Sequence, residues 1–215
     1  MNRTPLISRR TLVSALCALV FALGCVPAAS ARTPKRQKNA EEATLGKLVN
    51  NVRYGLDVTA LKLLDADGQA RALLGPAYET ASASDRAEFT RLFQHLFAAV
   101  AFPKMRDSFQ HLTTITYDPA QPEGNALKVA SVLHLQVGPK EQEIKVVYLL
   151  SKAASGEVRV VDVTVVGDKS MLTNIRADQV APILAEGGMP KLLDLLRTRA
   201  AELPAPKDAP LTAKP

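Results

Sequence analysis

Residues 126–166 read ALKVASVLHLQVGPKEQEIKVVYLLSKAASGEVRVVDVTVV, and the pattern of apolar residues in this segment indicates the fold class. Apolar and polar residues alternate along its first part, which is the period of a half-buried β-strand. One side of this strand carries Leu127, Val129, Leu133, Leu135 and Val137, and the other side carries Lys128, His134 and Gln136. The stretch therefore begins with a strand that has one face in the core.

Two further strands follow in the same stretch. Turn residues at 138–141 lead into a second alternating run, formed by Ile144, Val146, Tyr148 and Leu150. A turn at 155–157 then leads into 158–166, a nearly continuous β-branched run that we expect to be the central and best-buried strand. Because the turns are short, the three strands predict an antiparallel meander.

Helical patterns precede the meander. Apolar residues spaced i, i+3, i+4 and i+7 predict a first helix, at Leu45, Leu48, Val49 and Val52. A second helical piece covers 57–64 with an exit turn at 65–68, and a short one covers 71–78, interrupted at Gly75-Pro76. The strongest helix is capped by Ser82 or Ser84 and ended or kinked at Pro103. Its apolar stripe is Phe89, Leu92, Phe93, Leu96, Phe97 and Val100.

A closing helix is predicted over 177–201, broken at Gly187-Gly188, with Pro190 at the first position of the new segment. Helices, then a strand meander, then helices predict an α+β fold in which helices cover an antiparallel sheet. From residue 203 onward Pro, Ala and Lys dominate, so we expect a disordered tail over 203–215.

The N-terminus predicts export. Arg3, Arg9 and Arg10 precede an apolar run over 12–24, and small residues end it at Ala31, which is typical of a cleavable signal peptide over 1–31. The run is shorter than the roughly 20 residues of a membrane-spanning helix. The paired Arg9-Arg10 leaves open the twin-arginine route beside general secretion. A lipoprotein site at Cys25 is the competing interpretation of the same segment.

Processing at Ala31 changes both charge and cysteine content. The net charge falls from +6 to +3, because the removed segment holds three arginines and no acidic residue. Both cysteines, Cys17 and Cys25, leave with it, so the core must supply the stability. A basic flexible arm over 32–42 carries most of the remaining charge, and the folded domain over 43–202 is close to neutral, which argues against a nucleic-acid partner.

Motifs for catalysis or metal binding do not emerge from the sequence. His95, His111 and His134 lack partners at ligand spacing, and we interpret His95 as a boundary residue of its helix. Asp162 stands in the apolar third strand and Tyr148 in the second, so a general-base pair is conceivable. A structural hydrogen bond for Asp162 is the simpler interpretation.

Several motifs resemble those of the MlaC (toluene-tolerance) family of periplasmic phospholipid-binding proteins. The first is Leu73-Leu74-Gly75-Pro76-Ala77-Tyr78 followed by Ser82 to Phe89 and Leu92-Phe93. The second is Val161-Asp162-Val163-Thr164 with Gly167 and Ser170, followed by Asn174, Gln179, Ile183-Leu184, Gly187-Gly188, Leu192-Leu193 and Leu196.

The resemblance implies a fold similar to the nuclear-transport-factor-2 (NTF2-like) cone with an apolar cavity. It implies a monomeric carrier, not an enzyme, that needs no cofactor or metal. Such a carrier shuttles phospholipid or a similar lipid between an outer-membrane lipoprotein complex and an inner-membrane ABC transporter, as the transporter's substrate-binding component. The expected lipid-binding residues are Leu74, Tyr78, Phe89, Leu92, Phe93, Leu96, Phe97, Val100, Leu133, Leu135, Val146, Tyr148, Leu150 and Val163.

Three alternatives remain open on sequence alone. The cargo could be another lipid, such as a hopanoid. The chain could be an exported NTF2-like enzyme acting on a small hydrophobic substrate, which requires Asp162 and Tyr148 in one cavity. It could also be an adaptor for envelope proteins, whose apolar residues would close into an ordinary core.

Overall fold

A computed structural model describes residues 39–208 of the chain, all within one compact unit. The predicted signal peptide over 1–31, most of the arm over 32–42 and residues 209–215 lie outside the described residues. Seven α-helices and one π-helix are described, at α1 Ala40–Arg53, α2 Asp57–Leu61, α3 Ala66–Leu74, α4 Pro76–Thr80, α5 Ala83–Phe109, α6 Met171–Ile175, the π-helix Arg176–Val180 and α7 Ala181–Ala201. The strands are β1 Leu112–Tyr117, β2 Gln121–Glu123, β3 Ala126–Val137, β4 Lys140–Lys152 and β5 Val158–Val165.

The strands form one antiparallel sheet in the order β1-β3-β4-β5, with β2 paired to β3. Register places Val129 opposite Tyr148 and Tyr148 opposite Val163, so these three side chains share one face. That face is buried under the helices. The predicted α+β class, a meander covered by helices, is confirmed, while the closer likeness to an NTF2-like cone stays a prediction.

Strand β5 lies at the sheet edge, so the prediction that it is the central strand is wrong. Its backbone is nevertheless paired, because Asp65 N donates to Val160 O at 2.8 Å and Val160 N donates to Leu63 O at 2.9 Å. The Gln69 side-chain amide also donates to Val161 O at 3.1 Å. The β-branched run therefore reflects burial beneath α1, α3 and α6 rather than a position between two strands.

Helix α5 continues through Pro103 to Phe109, whereas the sequence suggested an end or a kink there. Proline removes one hydrogen bond from the helix ladder. Burial on both sides of it compensates, because Phe102 is fully buried and Met105 and Phe109 pack against the core. Ser82 is the N-cap of this 27-residue helix, and its hydroxyl accepts from Asp85 N at 3.1 Å.

Single residues determine the start of α3 and the interruption of α7. Asp65 is not in an exit turn but is the N-cap of α3, since its carboxylate accepts from Gly68 N at 3.0 Å. Within α7, Gly188 has φ 64° and ψ −162°, a conformation that only glycine adopts readily, and this interrupts the helix where the sequence predicted a break. Pro190 then begins the second segment.

Residues 203–208, where we expected a disordered tail to begin, make specific contacts. Pro204 O lies 3.0 Å from His95 Nε2 on α5. Asp208 accepts from the backbone N and the hydroxyl of Thr59 on α2, at 3.1 and 2.8 Å. The end of α7 is thereby connected across α5 to α2. No helix among residues 39–208 is both long and apolar enough to cross a membrane.

One nearly buried ion pair fixes α5 against α1 and α2. Arg106 donates to Asp57 at 2.6 Å and to Val52 O at 3.4 Å, and the two charged side chains are only 18% and 14% exposed. Removing one charge would leave the other partly desolvated without a counter-ion, which costs more than the pair contributes.

We expect Asp57→Asn to lower the free energy of unfolding by about 2 kcal/mol, because Arg106 loses its counter-ion in a site that water reaches poorly. The matched control is Glu186→Gln, which breaks the exposed Lys191–Glu186 pair and should change stability by less than about 0.5 kcal/mol. Urea unfolding followed by circular dichroism measures both; equal effects of the two changes would contradict this role for Arg106.

Candidate functional site

Two apolar cavities flank helix α5. The first, which we call the sheet cavity, has a volume of about 320 Å³ and lies between α1, the C-terminal half of α5 and the inner face of the sheet. Its polar lining residues are Gln69, Lys104 and Ser108. The apolar ones are Leu48, Val49, Val52, Leu64, Phe97, Phe102, Met105, Phe109, Leu133, Leu135, Ile144, Val146, Val160, Val163, Val165 and Met171.

The second, which we call the helix cavity, has a volume of about 460 Å³ and lies between α5 and the segment from α6 to α7. Gln179 and Arg199 are its polar lining residues. The apolar ones are Phe89, Phe93, Leu96, Phe97, Val100, Ala101, Met171, Ile175, Val180, Ile183, Leu192 and Leu196. Within residues 39–208, neither cavity is lined by an acidic side chain.

Four phenylalanines of α5 form the boundary between the cavities and the core. Successive ring centroids are 6.1 Å apart for Phe89–Phe93 and 5.7 Å for Phe93–Phe97, both stacked. Phe97 meets Phe102 edge-on at 5.5 Å. Such contacts hold the rings in defined positions. The cavity wall on this side is therefore rigid.

Nine of the fourteen residues expected to bind lipid line a cavity. Phe97, Leu133, Leu135, Val146 and Val163 line the sheet cavity, and Phe89, Phe93, Leu96, Phe97 and Val100 line the helix cavity. Leu74, Leu92, Tyr148 and Leu150 line neither cavity and lie in the buried core. For these four, an ordinary packing role accounts for the apolar character that the sequence showed.

Tyr78, also expected at the lipid site, lies in a polar surrounding instead. Its ring is placed between the guanidinium groups of Arg71 and Arg86, at 4.2 and 5.0 Å from the ring centroid. Its hydroxyl donates to Asp67. That hydrogen bond, together with burial, raises the pKa of the phenol. Tyr78 connects α3, α4 and α5 rather than lining either cavity.

Several lining residues were not among those predicted. Met105 and Phe109 continue the α5 stripe beyond Pro103, at i+3 and i+7 from Phe102, so a helix carried through the proline would have found them. Met171 and Ile175 lie on α6, a helix too short to give a periodic signal. The stripe on α1 was recognised, but its contribution of Val49 and Val52 to a cavity was not.

Asp162 does not share a cavity with Tyr148. One carboxylate oxygen accepts from Val163 N at 2.8 Å and from Leu172 N at 3.1 Å, which fixes the start of α6 against β5. Tyr148 is buried on the inner face of the sheet, opposite Val163. The geometry that the Asp162–Tyr148 enzyme hypothesis requires is absent, and the predicted structural hydrogen bond of Asp162 is present.

The described histidines and carboxylates lie outside the linings of both cavities. No cluster of three His, Cys, Asp or Glu side chains suited to a metal ion occurs in the part of the chain that the structure describes. His134 lies on the outer sheet face, 3.5 Å from Glu143 and 3.7 Å from Glu141. His95 is partly buried at the boundary of α5, as predicted from its position on the helix.

The combination of a helix-covered antiparallel sheet and apolar cavities defines an architecture suited to binding apolar ligands. The MlaC protein family model matches residues 33–198, so the chain belongs to the MlaC family. No curated protein matches the chain.

Solved structures with a similar fold include that of a phospholipid-binding protein from Ralstonia solanacearum, determined in complex with a phospholipid at 1.53 Å. The TM-score is 0.61 with 14% sequence identity, over 76% of this chain and 96% of that one. At this identity the likeness concerns the fold.

Two phenols on the inner face of the sheet, those of Tyr117 on β1 and Tyr148 on β4, have pKa values that differ from the ordinary one. Burial raises the pKa of both Tyr117 and Tyr148, and the nearby Tyr148 and Glu42 raise the pKa of Tyr117 further. An unfolded chain ionises its phenols near pH 10.0, while the folded protein keeps these two protonated. Their contribution to stability is therefore complete below pH 10 and is lost as pH rises above it.

From pH 8 to pH 11, we expect the free energy of unfolding to decrease by roughly 1 kcal/mol less in Tyr117→Phe than in the wild type. At pH 8 the change should be close to neutral, because the Tyr117 hydroxyl is buried without a hydrogen-bond partner. Denaturant titrations at several pH values give both numbers. Superimposable pH profiles for the wild type and the variant would show that Tyr117 ionises normally.

Proposed function

We propose that this chain is a periplasmic lipid carrier that holds the hydrocarbon chains of a phospholipid in the two cavities beside α5. The observation that carries the proposal is the pair of apolar cavities, whose linings contain no acidic side chain among the described residues. A diacyl lipid outside a bilayer exposes about 30 methylene groups, at a cost on the order of 20 kcal/mol. A carrier must replace that apolar contact.

Cavity size supports acyl chains as the cargo. An apolar cavity of about 150 Å³ holds one benzene, or six carbon atoms. On that scale the sheet cavity, at 320 Å³, has room for roughly a dozen carbons, and the helix cavity, at 460 Å³, for somewhat more. These capacities are of the order of one acyl chain each.

The charges at the linings favour an anionic head group. Lys104 borders the sheet cavity and Arg199 borders the helix cavity. Lys104 is exposed, and its ammonium group makes no ion pair with any described residue. At the sheet cavity a phosphate would meet the ammonium of Lys104, whereas Arg199 at the helix cavity already pairs with Glu202 at 2.6 Å. This agrees with the phospholipid complex of the Ralstonia solanacearum protein.

Membership of the MlaC family supports the wider role. We infer that the protein acts as a monomer in the periplasm, between an outer-membrane lipoprotein complex and an inner-membrane ABC transporter. The cargo remains bound while the protein diffuses between them, so neither a cofactor nor a chemical step is needed. Phospholipid fits two compact cavities better than a rigid polycyclic lipid such as a hopanoid, which would need one long cavity.

Neighbouring valines at the end of β5 give a matched test of lipid binding. Val165 lines the sheet cavity and is 43% exposed, whereas Val166 is 58% exposed and lines neither cavity. We expect Val165→Glu to reduce uptake of a fluorescent phospholipid from donor vesicles at least about tenfold, because a carboxylate would lose its hydration beside the acyl chain. Val166→Glu adds the same charge one residue away and should leave uptake unchanged.

Both substitutions are at exposed positions, so both variants should fold, which circular dichroism checks. Equal uptake by Val165→Glu and the wild type would remove the sheet cavity from the proposed site. Failure of the wild type itself to take up phospholipid would overturn the carrier role.

Export is tested by the mass of the protein recovered from the periplasm. We expect cleavage after Ala31, which gives a mature chain beginning at Arg32 and free of both cysteines. Intact-mass spectrometry of a periplasmic extract measures this, with substitution of the paired Arg9 and Arg10 by lysine distinguishing the two export routes. A chain retained in the cytoplasm, or one lipidated at Cys25, would contradict the proposal.

A further inference from the structure

The sheet cavity and the helix cavity share part of their lining. Phe97 and Met171 are the two side chains that line both of them. Phe97 comes from the middle of α5, and Met171 comes from the first residue of α6, directly after β5 and its turn. Every other lining residue belongs to one cavity alone.

The two side chains at the boundary between the cavities differ in how closely they are packed. Phe97 is buried and is held between Phe93 and Phe102, with ring centroids 5.7 and 5.5 Å away. Met171 is only partly buried and has an unbranched, flexible side chain. The boundary therefore consists of a fixed aromatic ring and one adaptable side chain.

The two cavities lie along different halves of α5. Residues of its first half, such as Phe89 and Phe93, line the helix cavity, while Met105 and Phe109 near its end line the sheet cavity. A single chain cannot occupy both volumes without passing Phe97 and Met171. Two chains, one on each side, avoid that passage.

We propose that the sheet cavity and the helix cavity are separate compartments, each for one hydrocarbon chain, and that Phe97 and Met171 form the wall between them. This inference rests on the proposed lipid binding and specifies its cargo. The protein then binds two hydrocarbon chains, supplied by one two-chain lipid or by two single-chain lipids. Blocking one compartment leaves the other able to bind a chain.

The experiment is a native mass spectrometry titration with a single-chain lysophospholipid and, separately, a diacyl phospholipid. The delipidated wild type should bind two lysophospholipids or one diacyl phospholipid. Val163→Phe adds volume inside the sheet cavity and Ile183→Phe does so inside the helix cavity. Each variant should bind one lysophospholipid and lose at least about tenfold in affinity for the diacyl lipid.

Matched controls place the same ring outside both cavities. The controls are Val166→Phe, directly after β5, and Leu195→Phe, on α7. Val166 and Leu195 are exposed and line neither cavity. Both controls should keep the wild-type stoichiometry. If Val163→Phe or Ile183→Phe fails to fold, Val165→Trp and Val100→Trp replace them, because Val165 and Val100 each border one cavity and are 43% exposed.

The outcomes separate this inference from the proposed function. One lysophospholipid per wild-type chain, or loss of both lysophospholipids when either cavity is filled, would overturn the two compartments while leaving lipid binding intact. Filling either cavity without effect on diacyl binding would also overturn them. Absence of all lipid binding by the wild type would instead overturn the proposed function.

Discussion

Helix α5 must be covered on two sides, and the rest of the structure depends on that constraint. Its 27 residues carry apolar side chains toward the sheet and also toward α7. Packing of one side alone would leave the other in water, at about 25 cal/mol for each Å² of apolar surface. The sheet and α7 supply the two covers, and the Arg106–Asp57 pair fixes α5 against α2. Neither cover closes completely on the helix, so one cavity remains on each side.

The free backbone groups of the edge strand β5 form hydrogen bonds with a loop and a side chain rather than with a further strand. Residues 63–65 pair with β5, and Asp162 accepts from the first turn of α6 at the same edge. These bonds determine where α6 begins, and therefore where Met171 lies beside the cavities. The carboxylate of Asp162 thus positions a cavity wall without lining either cavity itself. The same bonds explain how an acidic residue is accommodated in an apolar strand.

Sequence patterns predicted the meander and the amphipathic face of α5 because both have strong periods. The position of β5 within the sheet was harder to predict. Its β-branched residues indicate that one face is buried, and an edge strand covered by helices also has a buried face. Pro103 predicted an end or a kink of α5. The helix continues because the packing of Phe102 and Met105 compensates for the lost hydrogen bond. Apolar composition could not separate cavity from core, so Leu150 and Val146, two residues of one strand face, were given one role although only Val146 lines a cavity.

Carrier function requires that the apolar volume beside α5 is filled by lipid during transport. The free energy of leaving a bilayer, on the order of 20 kcal/mol for two acyl chains, makes an empty carrier and a loaded one distinct species that do not interconvert in water without a membrane or a partner protein. The most direct measurement is therefore the native mass of the protein purified from the periplasm without detergent. We expect the mass of one chain plus one diacyl phospholipid, released as lipid on denaturation. A mass equal to that of the chain alone, in repeated preparations and after incubation with phospholipid vesicles, would contradict the account.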